Sequence, residues 1–372
     1  MFYRGLTDIV TPDVAPSGTA AQTTRFRLKQ ENGVRVETLN LKLRLTTAAS
    51  AITGAAWGGM LGVVKEVRVI ANDALGKRNV VRMSGIALAM FAQQNFHNLD
   101  GNTQIAYASA VSFPLSTVVE ITIPVPLRHP CIGEPFGNQL SLPLSSRFVG
   151  DDVMVEVDLW EITAGGAVFT TNPPTYAASE PLLLEVCYRE VPESVPYIPS
   201  ELVSDLSQAF SGTSKQKVEI PTGGYLTQLG IQGLSADFGN AVTRSALVAV
   251  GNQYQIDLNR KRLATTNQQF IQARNDRSRS VYPRAAAANI ASSFLFARAF
   301  DGEAFFDFVT ADHGYDVFSI ASAVNLDPVV TGSNKLTITF ADLANSSFRA
   351  HFHYHKLLPI KPEDLNTLAA SV

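Results

Sequence analysis

The sequence predicts an all-β protein built from two antiparallel sandwiches in tandem, and three observations carry that prediction. LLLEVCYREVP (residues 182–192) and SFRAHFHYHKLLP (residues 347–359) are alternating strands that each stop at a proline. Short alternating segments parted by turn residues precede both of them, as in a sandwich or barrel. Between the two sets lies VPESVPYIPS, with Pro192, Pro196 and Pro199 in eight residues, which reads as a stiff extended connector.

Residues 1–24 are polar, alanine-rich and punctuated by Pro12 and Pro16, so an N-terminal arm outside the strands is expected there. The first sandwich is expected over 25–190. Leu39, Leu41, Leu43 and Leu45 alternate with Asn40, Lys42 and Arg44, and Val67 and Val69 with Glu66 and Arg68 ahead of a turn at Asn72-Asp73. Such period-two spacing marks a strand buried on one face. Ser84 in front of Ile86, Met90 and Phe91 predicts a capped helix over 84–96. Ile121 and Ile123 lead into an edge broken by Pro124, Pro126 and Pro130, and Val153, Val155, Val157 and Leu159 form a further alternating strand.

The connector and a short helix are expected over 191–210, because Ser200 can cap a face made of Leu202, Val203, Leu206, Ala209 and Phe210. The second sandwich is expected over 211–360, followed by a tail, 361–372. Leu229 and Ile231 fall in an early strand and Leu247, Val248 and Val250 in a later one; a helix is expected near Arg262–Arg274. Leu336, Ile338 and Phe340 then alternate with Thr337 and Thr339, one connection before the terminal strand, repeating the order of the first half.

The chain has 372 residues, 46% hydrophobic and 17% charged, which describes a packed protein of two domain lengths. A formal charge of −3 argues against a dedicated nucleic-acid binder. Cys131 and Cys187 are too few for a disulfide framework or a four-cysteine metal site. The first residues lack a signal-peptide core, and no run reaches bilayer-spanning length, so neither secretion by that route nor helical insertion is expected.

Chemical motifs are sparse. His351, His353 and His355 share one face of the last strand, but same-face neighbours lie about 6.5–7 Å apart. They read as the solvated or interface-facing side of an amphipathic strand, not as a metal set. Arg274, Arg277, Arg279 and Arg284 form a basic run interrupted by Asp276, read as a solvated loop. Asp151-Asp152 begins a strand, where turn chemistry accounts for it. His129 stands two residues from Cys131 with no third group to orient it. There is no phosphate loop, GxSxG elbow or HExxH helix. The expectation is a chain without enzymatic activity, catalytic residues, cofactor or metal.

With VKEVRVIANDALGKRNVVRMSG as an early strand pair and FGNQLSLPLSSRFVGDDVMVEVDLW as a later hairpin, the chain from about 25 to 360 resembles the double jelly-roll major capsid proteins of tailless icosahedral viruses, nearest the membrane-containing bacterial lineage. The resemblance implies two eight-stranded jelly rolls with a few short helices, and homotrimers forming pseudo-hexagonal capsomers of a virion shell assembled in the host cytoplasm. It further implies penton and minor capsid proteins and an internal lipid membrane as partners, and no sequence-specific nucleic acid. It places the N-terminal segment at the inner side of the shell, where Phe2, Tyr3, Arg4, Leu6, Arg25 and Arg27 would contact neighbours or lipid. The alternatives are a two-jelly-roll glycoamidase-like hydrolase, against which the missing leader and disulfides speak, and a carbohydrate-binding β-protein, for which only Trp57 and Trp160 are at hand.

Overall fold

The fold is seen in a computed structural model that describes residues 5–52, 59–96, 103, 113–127, 139–211, 215–234, 253–259, 261–267, 303–308, 324–326, 335–340 and 347–358. The chain divides into two compact units, largely Met1–Val203 and largely Ser204–Val372.

In the first unit the strands are β1 (Gly5–Val10), β2 (Gln22–Leu28), β3 (Val34–Thr46), β4 (Val64–Asp73), β5 (Gly76–Met83), β6 (Val118–Pro126), β7 (Leu142–Pro143), β8 (Val153–Leu159), β9 (Thr175–Tyr176) and β10 (Leu182–Glu190). One sheet runs β1-β10-β3-β6, with the short β7 and β9 on the ends of β3; the other runs β2-β8-β4-β5. The long strand β3 is the hub of its sheet, pairing antiparallel with β10 on one side (Leu184 opposite Leu41) and β6 on the other (Ile123 opposite Leu41). Its Leu39, Leu41, Leu43 and Leu45 are fully buried, as are Val67 and Val69 of β4 and Val153, Val155 and Val157 of β8. The expected alternation is therefore observed, with the apolar face turned into one core.

The helix expected over 84–96 is α1 (Gly85–Phe96), between β5 and β6. Ser84 caps it, its Oγ accepting from Ala87 N at 3.2 Å. Ile86 through Ala92 are all buried, so this helix is apolar around its described circumference and belongs to the core. Gly85 is required by close packing, since a Cβ there would stand 2.8 Å from Val64 Cβ and 2.9 Å from Leu61 O.

The second unit contains β11 (Ser200–Ser211), which begins in the first unit, then β12 (Gln216–Ile220), β13 (Tyr225–Leu234), β14 (Gln253–Leu258), β15 (Lys261–Asn267), β16 (Glu303–Asp307), β17 (Val324–Asn325), β18 (Leu336–Phe340) and β19 (Ser347–Leu357). Its sheets run β11-β19-β13-β16 and β12-β18-β14-β15. Counting the eight main strands of each half in chain order, both halves give the paths 1-8-3-6 and 2-7-4-5. The two proline-ended strands seen in the sequence, β10 and β19, hold the same place in this scheme. The second core is aromatic: Phe340 makes edge contacts with Phe210, Tyr254 and Phe352, and Tyr254 with Phe306.

Three expectations need correction. Residues 1–24 are not an arm outside the strands: Gly5–Val10 pairs with β10, Gly5 opposite Arg189 and Val10 opposite Leu184, and β2 already starts at Gln22. The unpaired side of β10 supplies a backbone ladder that no local pattern announces. Residues 200–211 are a strand, not a helix, because the first strand of the second jelly roll must come from here; Leu202 and Val203 pair in parallel with Val81 and Arg82. Lys261–Asn267, overlapping the start of the expected helix 262–274, is the return strand of a hairpin with β14, turned at Asn259, whose φ is +50°. The expected strand at 247–250 and the rest of that helix lie outside the described residues.

The connector is fastened to the first unit along its length. Arg35, 2% exposed, donates through Nη1 to Pro196 O at 3.0 Å and through Nη2 to Val195 O, with its guanidinium 5.2 Å from the Phe148 ring centre. Burial pulls its pKa down to about 10, against the opposing pull of Tyr197 and Glu193. Glu193 accepts from Gly33 N at 2.6 Å and Ser145 Oγ at 2.9 Å. Arg78, held by the fully buried Asp73 carboxylate at 2.7 Å, donates to Ser200 O. Replacing Arg35 by Met strands two carbonyls in a dry environment, so Arg35→Met is expected to lower the unfolding free energy by about 2–4 kcal/mol. Urea denaturation of the full chain checks this, and a loss well under 1 kcal/mol would show the clasp to be idle.

Candidate functional site

The residues singled out in the sequence fall on separate sheet faces. On β19, Ala350, Phe352 and Tyr354 point into the second core while His351, His353 and His355 point the other way. The register of β13 and β16 sets rows on that outer side: His351 beside Gln232 and Glu303, His353 beside Gly230 and Phe305, His355 beside Gln228 and Asp307. Of the two expected settings, solvated or interface-facing, the solvated one does not hold. His353 is 0% and His355 5% exposed, and Gln228, Gln232 and Glu303 are likewise buried.

Burial is made tolerable by hydrogen bonds. Gln232 Nε2 donates to Glu303 Oε1 at 3.2 Å, which leaves Gln232 Oε1 to accept from His353 Nε2 at 3.1 Å. His353 Nδ1 then accepts from Ser204 Oγ at 2.6 Å, so the imidazole is neutral and carries its proton on Nε2. Thr227 Oγ1 donates to His355 O at 3.0 Å and accepts from His355 Nδ1 at 2.5 Å. With both ring nitrogens of His353 engaged, neither is presented to an ion or a substrate. Among the described residues no group of three or more His, Cys, Asp or Glu is arranged to hold a metal.

The candidate assembly residues are dispersed. Phe2, Tyr3 and Arg4 lie outside the described residues, and Leu6 is in β1 opposite Tyr188. Arg25 and Arg27 project from β2 into a sheet face. There Arg25 pairs with Glu156 at 2.8 Å, and Arg68 reaches Glu156 at 3.2 Å and Asp158 at 3.0 Å. Glu66 is shared by Arg68 and Arg82, at 3.4 and 3.1 Å. Arg25 is thus a member of a charge network on a sheet. The strand partners that fix Arg25 come from far away in the chain, Glu156 lying 131 positions on.

The remaining candidates are structural or undescribed. Asp151 accepts from Asn72 Nδ2 at 2.9 Å and Asp152 from Gln30 N at 3.0 Å, tying turns together. Burial, then Glu185 and Glu37, push the Cys187 thiol up, which opposes a reactive thiolate. Trp160 carries Lys65 Nζ 4.4 Å from its ring centre. Cys131, His129, Trp57, Arg274, Arg277, Arg279 and Arg284 lie outside the described residues.

The buried histidine makes the second unit sensitive to acid. Burial, and His351 beside it, hold the His353 pKa well below the ordinary value of 6.5. The unfolded chain therefore takes up this proton first, and the stabilisation is complete above about pH 6.5 and lost as pH falls below it. Denaturant unfolding should show the native chain losing stability between about pH 6.5 and pH 5, and His353→Gln losing measurably less. Equal pH slopes for the two proteins would contradict this account.

No protein-family description matches the sequence, and no curated relative does. Solved structures do match. The major capsid protein from Bacteriophage PM2 aligns over 96% of this chain and 99% of its own at 11% identity and a TM-score of 0.56. A chain of the Sulfolobus Turreted Icosahedral Virus structure aligns over 99% and 96% at 10% identity and a TM-score of 0.61. One from the PBCV-1 virus capsid aligns over 96% and 94% at 9% identity and a TM-score of 0.61. Matching strand paths in both halves and alignment over nearly the whole length of each chain lead to one conclusion: this chain has the double jelly-roll fold of viral major capsid proteins.

Proposed function

We propose that the chain is a viral major capsid protein, a structural subunit that associates with copies of itself as a homotrimer and tiles an icosahedral shell. The observation that carries this reading is the duplicated eight-strand path, matched end to end by chains from the capsids of Bacteriophage PM2, Sulfolobus Turreted Icosahedral Virus and PBCV-1. A protein whose task is to tile needs shape and many copies, and the side chains agree with that. The polar groups that would attract a catalytic reading, His353, Asp151 and Asp152, are each committed to internal hydrogen bonds. The virion is accordingly the proposed location, with penton and minor capsid proteins as further partners. An internal membrane belongs to the same proposal and rests on the resemblance to the membrane-containing lineage.

Sedimentation or native mass measurement of the purified full chain should give three chains per particle. Electron microscopy of the source material should then show hexagonal capsomers in a closed shell. A protein that stays a single chain at all concentrations, or that cleaves glycans, would overturn the proposal.

A further inference from the structure

Two strands that end a sheet path carry runs of exposed residues. In β1, Thr7, Asp8 and Ile9 are consecutively exposed, and in β15 so are Lys261, Arg262 and Leu263, with Thr265 beyond them. β11, the counterpart of β1 in the second half, likewise exposes Ser207, Gln208 and Ala209 in a row, so that these three strands present both faces there. Ile9, 57% exposed, and Leu263, 42% exposed, are among the few large apolar side chains left in water. Each strand ends its sheet path: β1 in β1-β10-β3-β6, and β15 in β12-β18-β14-β15. Two other sheet edges are guarded. Pro124 and Pro126 interrupt β6, whose Thr122 N and O are both bonded by Thr103 Oγ1, and β2 carries Arg25 and Arg27.

The duplication says what belongs on these edges. β1 holds the place in the first jelly roll that β11 holds in the second, and β15 the place that β5 holds in the first. Within the chain, β5 and β11 are joined, Val81 and Arg82 pairing in parallel with Leu202 and Val203, just past the β-bulge of β5. The corresponding half of β15, past its own bulge against β14, is Ala264–Asn267. Among the described residues, only one half of each corresponding pair has its partner within the chain. The outward N–H of Ile9 shows this directly: it is bonded to the carboxylate of the neighbouring Asp8 at 2.8 Å, a local substitute for a strand partner.

We infer that β15 of one copy pairs in parallel with β1 of the next, repeating between copies the β5–β11 pairing made within each. The partner is a second copy of this chain. The contact is heterologous, since two different edges meet, and such a contact closes into a ring when the rotation between copies closes, as a trimer requires. The main-chain ladder supplies the recognition, as in other strand additions, and Ile9 and Leu263 lose their exposure at the seam. This inference rests on the self-association proposed above and adds which edges perform it.

Two variants of the full chain test it. Ile9→Pro removes the outward N–H of β1 and leaves the β10 ladder intact; Leu263→Lys puts a charge on the exposed face of β15. Both replace exposed residues, and thermal melting verifies that each remains folded. Each alone should sediment as a single chain where the native protein is a trimer. Mixed in equal amounts they should form a dimer and nothing larger, because the β15 of one and the β1 of the other are unspoiled. Amide exchange adds a second reading: in Ile9→Pro, protection of residues 264–267 on the untouched β15 should fall about tenfold or more from its native level. If the native chain is itself a monomer, the proposed assembly fails and this pairing with it. If the native chain is a trimer, three results overturn the pairing alone: variants that remain trimeric, a mixture that stays single-chain at about 100 μM, or β15 exchange unchanged by Ile9→Pro.

Discussion

The dry space between two sheets is the constraint on which the first jelly roll depends, and β3 bears most of it. Its four leucines at every second position fill the interior, while its backbone is committed to β10 and β6 on either side. A one-residue slip of this strand would turn all four outward, so its register is fixed by the core itself. β13 is its counterpart in the second unit, between β19 and β16, but there the solution differs. Leu229 and Ile231 meet an aromatic cluster on one face, and the opposite face carries glutamines and histidines that are also buried. The same topology is thus stabilised by an aliphatic core in one half and by an aromatic core backed by a polar layer in the other.

Buried polar groups do a related job in both units. Arg35 and His353 each occupy a position where an apolar side chain would be the simpler choice; Arg35 donates to two main-chain carbonyls, and His353 is bonded by the Ser204 hydroxyl and the Gln232 amide. A misplaced neighbour leaves such groups, or the acceptors they serve, unsatisfied at a cost of about 1–3 kcal/mol each. They therefore penalise near-native arrangements. For a chain with two similar halves, whose strands could be confused with one another, that penalty favours the correct pairing.

What the sequence disclosed and what it withheld follow from the range of the interactions. Period-two patterns such as Leu39–Leu45 and Val153–Leu159 are local, and they revealed the strands, the core face and the repeat. The Ser84 cap is local as well and located α1. The strand β11 was concealed because Leu202, Val203, Leu206 and Phe210 fit a helical spacing. Pairing with distant strands overrides that preference. β1 was concealed for a similar reason: its identity as a strand comes from β10, near the other end of the first unit. The histidine row was visible as a face, but its burial was not, since Ser204 and Gln232 are 149 and 121 positions from His353. Asn259 at the β14–β15 turn, in the left-handed region that asparagine tolerates, was the one local sign that could have found the missed hairpin.

The pairing of the first strand with the last strand of its own jelly roll has a consequence for synthesis. Gly5 meets Arg189, so the ribosome must add roughly 180 residues after β1 before its partner exists. At about 5–20 residues per second, the first strand waits on the order of 10–40 s with its backbone unpaired. The second jelly roll has the same closure, β11 beside β19, and faces the same delay. A nascent chain of this design carries an open strand for most of its time on the ribosome. In a cell making thousands of copies at once, neighbouring chains on one message offer each other matching edges, and nascent-chain crowding becomes a hazard inherent in the topology.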